Sequence, residues 1–127
     1  SDARTIHADL NASYPHAKHF AADVRDDAMD RAGITDGMFA LCVDFATARL
    51  TVESGKIYAI RRSLDGGKTH ETIIRKAMAY SDRTEYQADS SRTGYGTLTV
   101  ASGSAVDDQD AQVETIGLVY GVQKIFY

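Results

Sequence analysis

Cysteine, proline and tryptophan are scarce in this 127-residue chain, which has one cysteine, one proline and no tryptophan. With Cys42 alone, no internal disulfide can hold the fold, and nothing indicates an oxidising compartment. No apolar run approaches the roughly 18 residues that a membrane helix needs. Basic residues are not in excess, since the formal net charge is −4, so overall charge does not favour nucleic-acid binding. We therefore expect a cytoplasmic protein without a membrane partner.

The chain does contain a series of short β-branched and aromatic runs separated by turn residues, which is typical of a mainly β domain. Residues 1–16 are predicted to form an N-terminal arm or linker remnant, and residues 17–127 a single domain. The predicted strands are 18–24, 39–45, 56–61, 69–80, 84–88, 95–101 and 113–126.

Helical signal is confined to one short turn near residues 26–32. Asp26 or Asp27 is expected to cap its N-terminus and Gly33 to end it. In the last strand, Gly117 and Gly121 indicate a bulge or a close approach of another chain segment.

The groups that could carry chemistry do not form a recognisable active site. His16 and His19 have a spacing seen in metal sites, but no further ligand completes a set, so neither a metal nor a cofactor is expected. Cys42 lies in an apolar strand and is expected to be a buried, inert thiol. The acidic run 107–110 is expected to be an exposed loop. Composition and spacing alone therefore predict only a soluble, mainly β domain.

Residues 27–44 (DAMDRAGITDGMFALCVD) resemble a segment of the LexA/UmuD/phage-repressor family of self-cleaving peptidases. In that family a nucleophilic serine precedes a methionine at the start of a short helix, and an apolar strand follows. Segments 53–60, 71–77 and 115–122 are similar, in order, to three further strands of the family. The resemblance implies the family's C-terminal domain fold, with short and strongly bent strands.

The resemblance also implies a serine nucleophile and a neutral lysine base, and this chain departs from both. Ala28 stands at the serine position, and a methyl group cannot attack a carbonyl. A gap-free alignment places Arg75 at the lysine position, where arginine cannot act as a base because it does not lose its proton. A one-residue slip would place Lys76 there instead and reverse the faces of the strand. The family's Asn-Pro-x-Tyr segment is replaced here by residues 89–95.

Two explanations of Ala28 stay open. The domain is a naturally degenerate, non-catalytic relative, or it is a self-cleaving repressor or SOS-response peptidase domain captured as a Ser→Ala mutant. A third interpretation sets the family aside and takes the chain as a β-rich module that binds a small ligand or peptide.

The resemblance implies that the domain forms a homodimer or a higher homo-oligomer of a repressor-like transcription regulator. Operator DNA would then be bound only through an N-terminal domain that is absent from this chain. An antirepressor or a RecA-like inducer would be a further partner. The last strand is expected to supply the oligomer interface, through Ile116, Leu118, Tyr120, Val122, Ile125 and Phe126.

Overall fold

The structure, a computed structural model, describes Tyr14 and residues 16–124. Over these residues it is mainly β, with seven strands in one antiparallel sheet and only short 3-10 turns of helix, which confirms the predicted fold class. The strands are β1 (His19–Asp23), β2 (Phe39–Asp44), β3 (Ile57–Leu64), β4 (Thr69–Ala79), β5 (Arg83–Gln87), β6 (Leu98–Ala101) and β7 (Gln112–Gln123). Within the described part of the chain, no helix is long and apolar enough to cross a membrane.

The sheet is strongly curled. Its strand order is β1-β2-β7-β3-β4-β5-β6, so three strands separate β1 from β4. Even so, residues of β1 and of the first half of β4 line the same groove. The central strand β7 produces part of this curvature, because its pairing with β2 and with β3 shifts register once each.

The predicted significance of Gly117 is confirmed. It lies beside the register shift between β3 and β7. A Cβ atom at this position would stand 2.6 Å from Cζ of Phe20 and 2.8 Å from Cβ of Cys42. Only glycine therefore allows β7 to approach β1 and β2 this closely.

Two apolar clusters cover the two faces of the sheet. The first contains Ala40 and Cys42 of β2, Ala59 of β3 and Ile74 of β4, and the segment between β1 and β2 closes it with Met29 and Met38 among others. The second cluster contains residues of β3, β4, β5, β6 and β7, namely Tyr58, Ile60, Ala77, Tyr86, Leu98 and Leu118. Because side chains alternate along a strand, Ala59 of β3 packs in the first cluster and its neighbours Tyr58 and Ile60 pack in the second.

A 3-10 turn, Asp30–Ala32, lies within the predicted helical turn near residues 26–32. Gly33 follows it with φ of 84°, in the left-handed conformation expected of a helix end. The predicted N-cap is wrong, because Met29 occupies that position without a side-chain cap. The carboxylates of Asp26 and Asp27 instead contact the Ala28 and Asp36 amides and the side chains of other segments.

Candidate functional site

The segment that carries Ala28 is held against the chain that follows β5. The Asp89 N–H donates to the Ala28 carbonyl at 2.8 Å, and the Arg31 N–H donates to the Asp89 carbonyl at 3.1 Å. The Ser90 hydroxyl donates to the Asp27 carbonyl at 2.7 Å. These bonds join two segments that are about 60 residues apart in the sequence.

Side chains extend the same contact. The Asp30 carboxylate accepts from the Ser91 amide at 2.8 Å and from its hydroxyl at 2.5 Å. These hydrogen bonds hold the pKa of Asp30 below its usual value, because they favour the ionised carboxylate. The Tyr95 hydroxyl accepts from the Asp27 N–H at 3.2 Å. Residues 89–95 are therefore packed on the segment that contains Ala28.

Ala28 is completely buried. Its N–H donates to Oδ1 of Asp26 at 3.1 Å, so a carboxylate lies beside the position that the resemblance assigns to the nucleophile. The methyl group offers neither a lone pair nor a proton, and no covalent step can begin at this side chain.

The structure brings Arg75 to the same place. Its Nη2 donates to Oδ2 of Asp26 at 3.4 Å, and its Nη1 donates to the Ile74 carbonyl at 2.8 Å. The guanidinium carbon lies 5.7 Å from the centre of the Tyr95 ring, within the range of a cation–π contact. Asp26 thus connects the two sequence-predicted positions, Ala28 and Arg75, through its two carboxylate oxygens.

No hydrogen bond or ion pair joins Lys76 to Asp26 or Ala28 in the part of the chain that the structure describes. Lys76 pairs with Ile57 of β3 and with Gln87 of β5. By alternation Lys76 shares the face of β4 that holds Ile74 and packs on the first cluster, and Arg75 leaves the strand on the other face. Asp26, Ala28 and Arg75 form the candidate site because hydrogen bonds connect them.

The electrostatics of the candidate site oppose serine–lysine chemistry. A lysine base must be neutral, and a nearby carboxylate favours the charged form of a cation. Asp26 stands where it would keep a lysine at position 75 protonated. The pair that is present, a carboxylate and a guanidinium, binds and orients groups but supplies neither the hydroxyl nucleophile nor the neutral amine of serine–lysine chemistry.

A groove of about 720 Å³ borders the site. Phe20–Asp23 of β1 form one wall and His70–Ile73 of β4 form the other, and Asp26 lies in the lining. β5 pairs only with residues 76–79 of β4, so the preceding part of β4 has β3 on one side and no described strand on the other.

The predicted interface residues of β7 differ in their burial and in what they pack against. Leu118 is buried in the second core cluster. Ile116 and Val122 pack, partly buried, against the first cluster. Tyr120 is half-buried, and its hydroxyl lies 3.3 Å from Nδ1 of His19. Ile125 and Phe126 lie outside the described residues, and a role of this strand in association stays a prediction.

Cys42 is fully buried, as expected, and burial raises the pKa of its thiol to about 12. The expectation of an exposed loop at residues 107–110 is wrong for Asp107, which is only 4% exposed. Its carboxylate accepts from Nε of Arg62 at 2.8 Å and from the amides of Gln109 and Ala111. Arg62 also donates to Glu71 of β4.

Sequence reasoning missed the role of Asp26, which it treated as a helix cap, and the contact of Tyr95 with Arg75. Asp26 and Arg75 are 49 residues apart, and no local pattern indicates that they meet. The charge of Arg75 directly after the apolar pair Ile73 and Ile74 was the one signal, because a buried arginine requires an acidic partner.

No protein-family profile matches the chain. No curated protein is significantly similar to it.

Proposed function

We propose that this domain is a non-catalytic, self-associating module of the LexA and phage-repressor type, which joins the subunits of a cytoplasmic transcription regulator. The observation that carries the proposal is the set Asp26, Ala28 and Arg75. Asp26 connects a methyl group and a guanidinium, at the positions that the resemblance assigns to a nucleophile and a base. An arrangement of this kind supports a structural role in place of peptide cleavage.

A dimer would supply what a repressor needs from such a module. Two weak DNA-binding heads that are joined by one dimer bind a palindromic site as a unit, which raises their apparent affinity. The negative net charge of the domain suits a module that stays off the phosphate backbone. In this proposal operator DNA is contacted only by another domain of the regulator, and an antirepressor or RecA-like inducer acts on the dimer.

The half-buried apolar residues at the β1–β2–β7 end of the sheet support this choice of surface. Leu41 of β2 pairs with Ala21 of β1 and with Gly121 of β7, and it is half-buried. Tyr120, beside Gly121, is also half-buried. An aromatic and an aliphatic side chain that neighbouring strands leave partly exposed are typical of the centre of a protein interface.

Sedimentation velocity over a micromolar concentration range tests the proposal. We expect a dimer or higher oligomer in the wild-type chain. Tyr120→Lys should shift the distribution towards monomer, because a charge is costly in the desolvated centre of an interface. Tyr80→Lys is the matched control, since Tyr80 is the most exposed large apolar side chain described and directly follows the last residue of β4.

A wild-type chain that sediments as a monomer throughout would refute the proposal. If both variants leave the oligomer unchanged, the proposal of self-association stands but β7 is excluded from the interface. Circular dichroism of the three proteins separates a loss of association from a loss of fold.

A further inference from the structure

The chain contains two Asp-Gly pairs, Asp36-Gly37 and Asp65-Gly66, and all four residues are exposed. Glycine after aspartate has no side chain to hinder attack of its main-chain nitrogen on the aspartate carboxyl group. Such a pair can close a succinimide ring, provided that the nitrogen and the carboxyl carbon are able to approach each other. The structure around each pair therefore decides which of the two reacts.

Hydrogen bonds fix the main chain on both sides of Asp36. The Gly37 N–H donates to the Val24 carbonyl at 2.9 Å, and the Asp36 N–H donates to Oδ1 of Asp27 at 3.2 Å. Attack by the Gly37 nitrogen would break the first of these bonds and turn the main chain against the second. This Asp-Gly pair is therefore protected by the fold.

The Asp65-Gly66 pair lacks these restraints. It lies in the 3-10 turn Asp65–Gly67 between β3 and β4, and residues 65–70 are all exposed. Among the described residues, none accepts from the Gly66 N–H, and none bonds the Asp65 carboxylate through a hydrogen bond or an ion pair. The attacking nitrogen and the carboxyl group that it would attack are thus both unrestrained.

The turn also holds Asp65 in a backbone conformation that is unfavourable for a residue with a side chain. Its φ is 53°, and Gly66 and Gly67 follow with φ of 67° and 92°, so three successive residues are left-handed. Glycine adopts this region readily, whereas an L-residue crowds its Cβ against the following carbonyl oxygen. An isoaspartyl linkage removes the crowding, because the main chain then leaves residue 65 through Cβ and Cγ.

We propose that Asp65 is a site of spontaneous modification, at which the chain forms a succinimide and then isoaspartate. The Gly66 nitrogen bonds to Cγ of Asp65 and gives up its proton, and one carboxyl oxygen leaves as water with that proton and one from the solvent. Water then adds to the main-chain carbonyl carbon of the ring. The bond from that carbon to the Gly66 nitrogen breaks, and the nitrogen regains a proton.

The product has the mass of the original chain, a main chain that passes through Cβ, and a free α-carboxylate at residue 65. Water is the only reactant, so the modification needs neither an enzyme nor a cofactor. The site does not depend on the proposed function, because it lies in the turn between β3 and β4, away from the residues of β2 and β7 that are assigned to self-association.

Mapping of isoaspartate in the folded 127-residue chain tests the proposal. The chain is kept at neutral pH and physiological temperature, and trypsin then releases residues 63–68 and 32–49, which hold one Asp-Gly pair each. Electron-transfer fragmentation in a mass spectrometer distinguishes isoaspartate from aspartate in each peptide. We expect isoaspartate to form roughly tenfold faster at Asp65 than at Asp36, because two hydrogen bonds must open at Asp36 first.

The same measurement in concentrated urea is the control, because the unfolded chain keeps both Asp-Gly pairs and loses the restraints that distinguish them. The two rates should become similar there. Asp65→Asn and Asp36→Asn are a matched pair of variants, since asparagine closes the same ring with loss of ammonia and hydrolysis of the ring then raises the mass of the chain. The intact mass of the folded protein should rise faster for Asp65→Asn.

Two results would overturn the site. One is isoaspartate that forms as fast at Asp36 as at Asp65 in the folded chain. The other is isoaspartate that appears at Asp65 only in urea, which would show that the folded turn protects this pair as well.

Discussion

Arg62 and Asp107 form a buried ion pair between β3 and the loop before β7, with Nε of the arginine 2.8 Å from Oδ2 of the aspartate. The Asp107 side chain has no solvent exposure, and that of Arg62 has 10%. Asp107→Ala removes the partner of a buried cation and the carboxylate oxygen, Oδ1, that accepts from two loop amides. We expect the free energy of unfolding to fall by about 3 kcal/mol, as measured by urea denaturation.

Gln109→Ala is the matched control for this substitution, because it changes an exposed side chain of the same loop. It should alter the free energy of unfolding by less than about 0.5 kcal/mol. Equal stability of the two variants would show that the ion pair contributes little.

The same pair predicts a loss of stability in acid. Burial alone would raise the pKa of Asp107, but the hydrogen bonds from Arg62 and the Gln109 and Ala111 amides outweigh it and lower the pKa of this carboxyl. Because the folded-state pKa lies below the unfolded value of about 3.9, the ionised carboxylate stabilises the folded protein. This stabilisation is complete at any pH well above the unfolded value. It is lost as the pH falls through the folded-state pKa.

Urea denaturation of the wild type and of Asp107→Ala, at pH 7 and at successive values below pH 4, measures how much the ionised Asp107 contributes to the free energy of unfolding. The difference between the two proteins should shrink as the pH falls. A difference that stays constant into acid would contradict an ionised Asp107 in the folded state.

Gly117→Ala should destabilise the domain by about 1–3 kcal/mol, because the added methyl would overlap Phe20 and the Cβ of Cys42 in a packed core. Gly96→Ala is a suitable control: a Cβ there meets no atom within 4 Å, and the backbone does not require glycine. The midpoint of thermal unfolding should fall for Gly117→Ala and stay level or rise slightly for Gly96→Ala. Equal midpoints would contradict the close approach of β7 to β1 and β2.

Ala28→Ser should not create a reactive serine. The new hydroxyl would lie beside Asp26 and Arg75, and neither an arginine nor a carboxylate paired with it replaces a neutral lysine base. Treatment with a fluorophosphonate, followed by intact-mass measurement, should leave Ala28→Ser as unmodified as the wild type. A mass increase confined to the variant would favour the captured self-cleaving peptidase.

The strands were predictable from sequence because their signals are local. β-branched and aromatic runs, broken by turn residues such as Asp65-Gly66, gave all seven strands of the described chain to within three residues at their described ends. Gly33 and Gly117 were recognisable for the same reason, since each satisfies a steric requirement at its own position.

The candidate site was only partly predictable. Ala28 and Arg75 emerged from the family resemblance, but the group that connects them, Asp26, lies in a run of acidic residues that reads equally well as helix capping. Asp107 was misplaced for a related reason: three of the four residues at 107–110 are exposed, and the buried one is distinguished only by Arg62, which is 45 residues away. Charge pairing across such separations depends on which strands become neighbours, as β3 and β7 do around Arg62 and Asp107, and local sequence does not encode that.

The hydrogen bonds between residues 27–31 and 89–91 have a dynamic consequence. Each segment satisfies main-chain groups of the other, so neither can detach without leaving both with unpaired amides. Local fluctuation should therefore release them together, as one cooperative opening unit with a shared protection factor. A destabilising mutation in either segment should then speed amide hydrogen exchange in both.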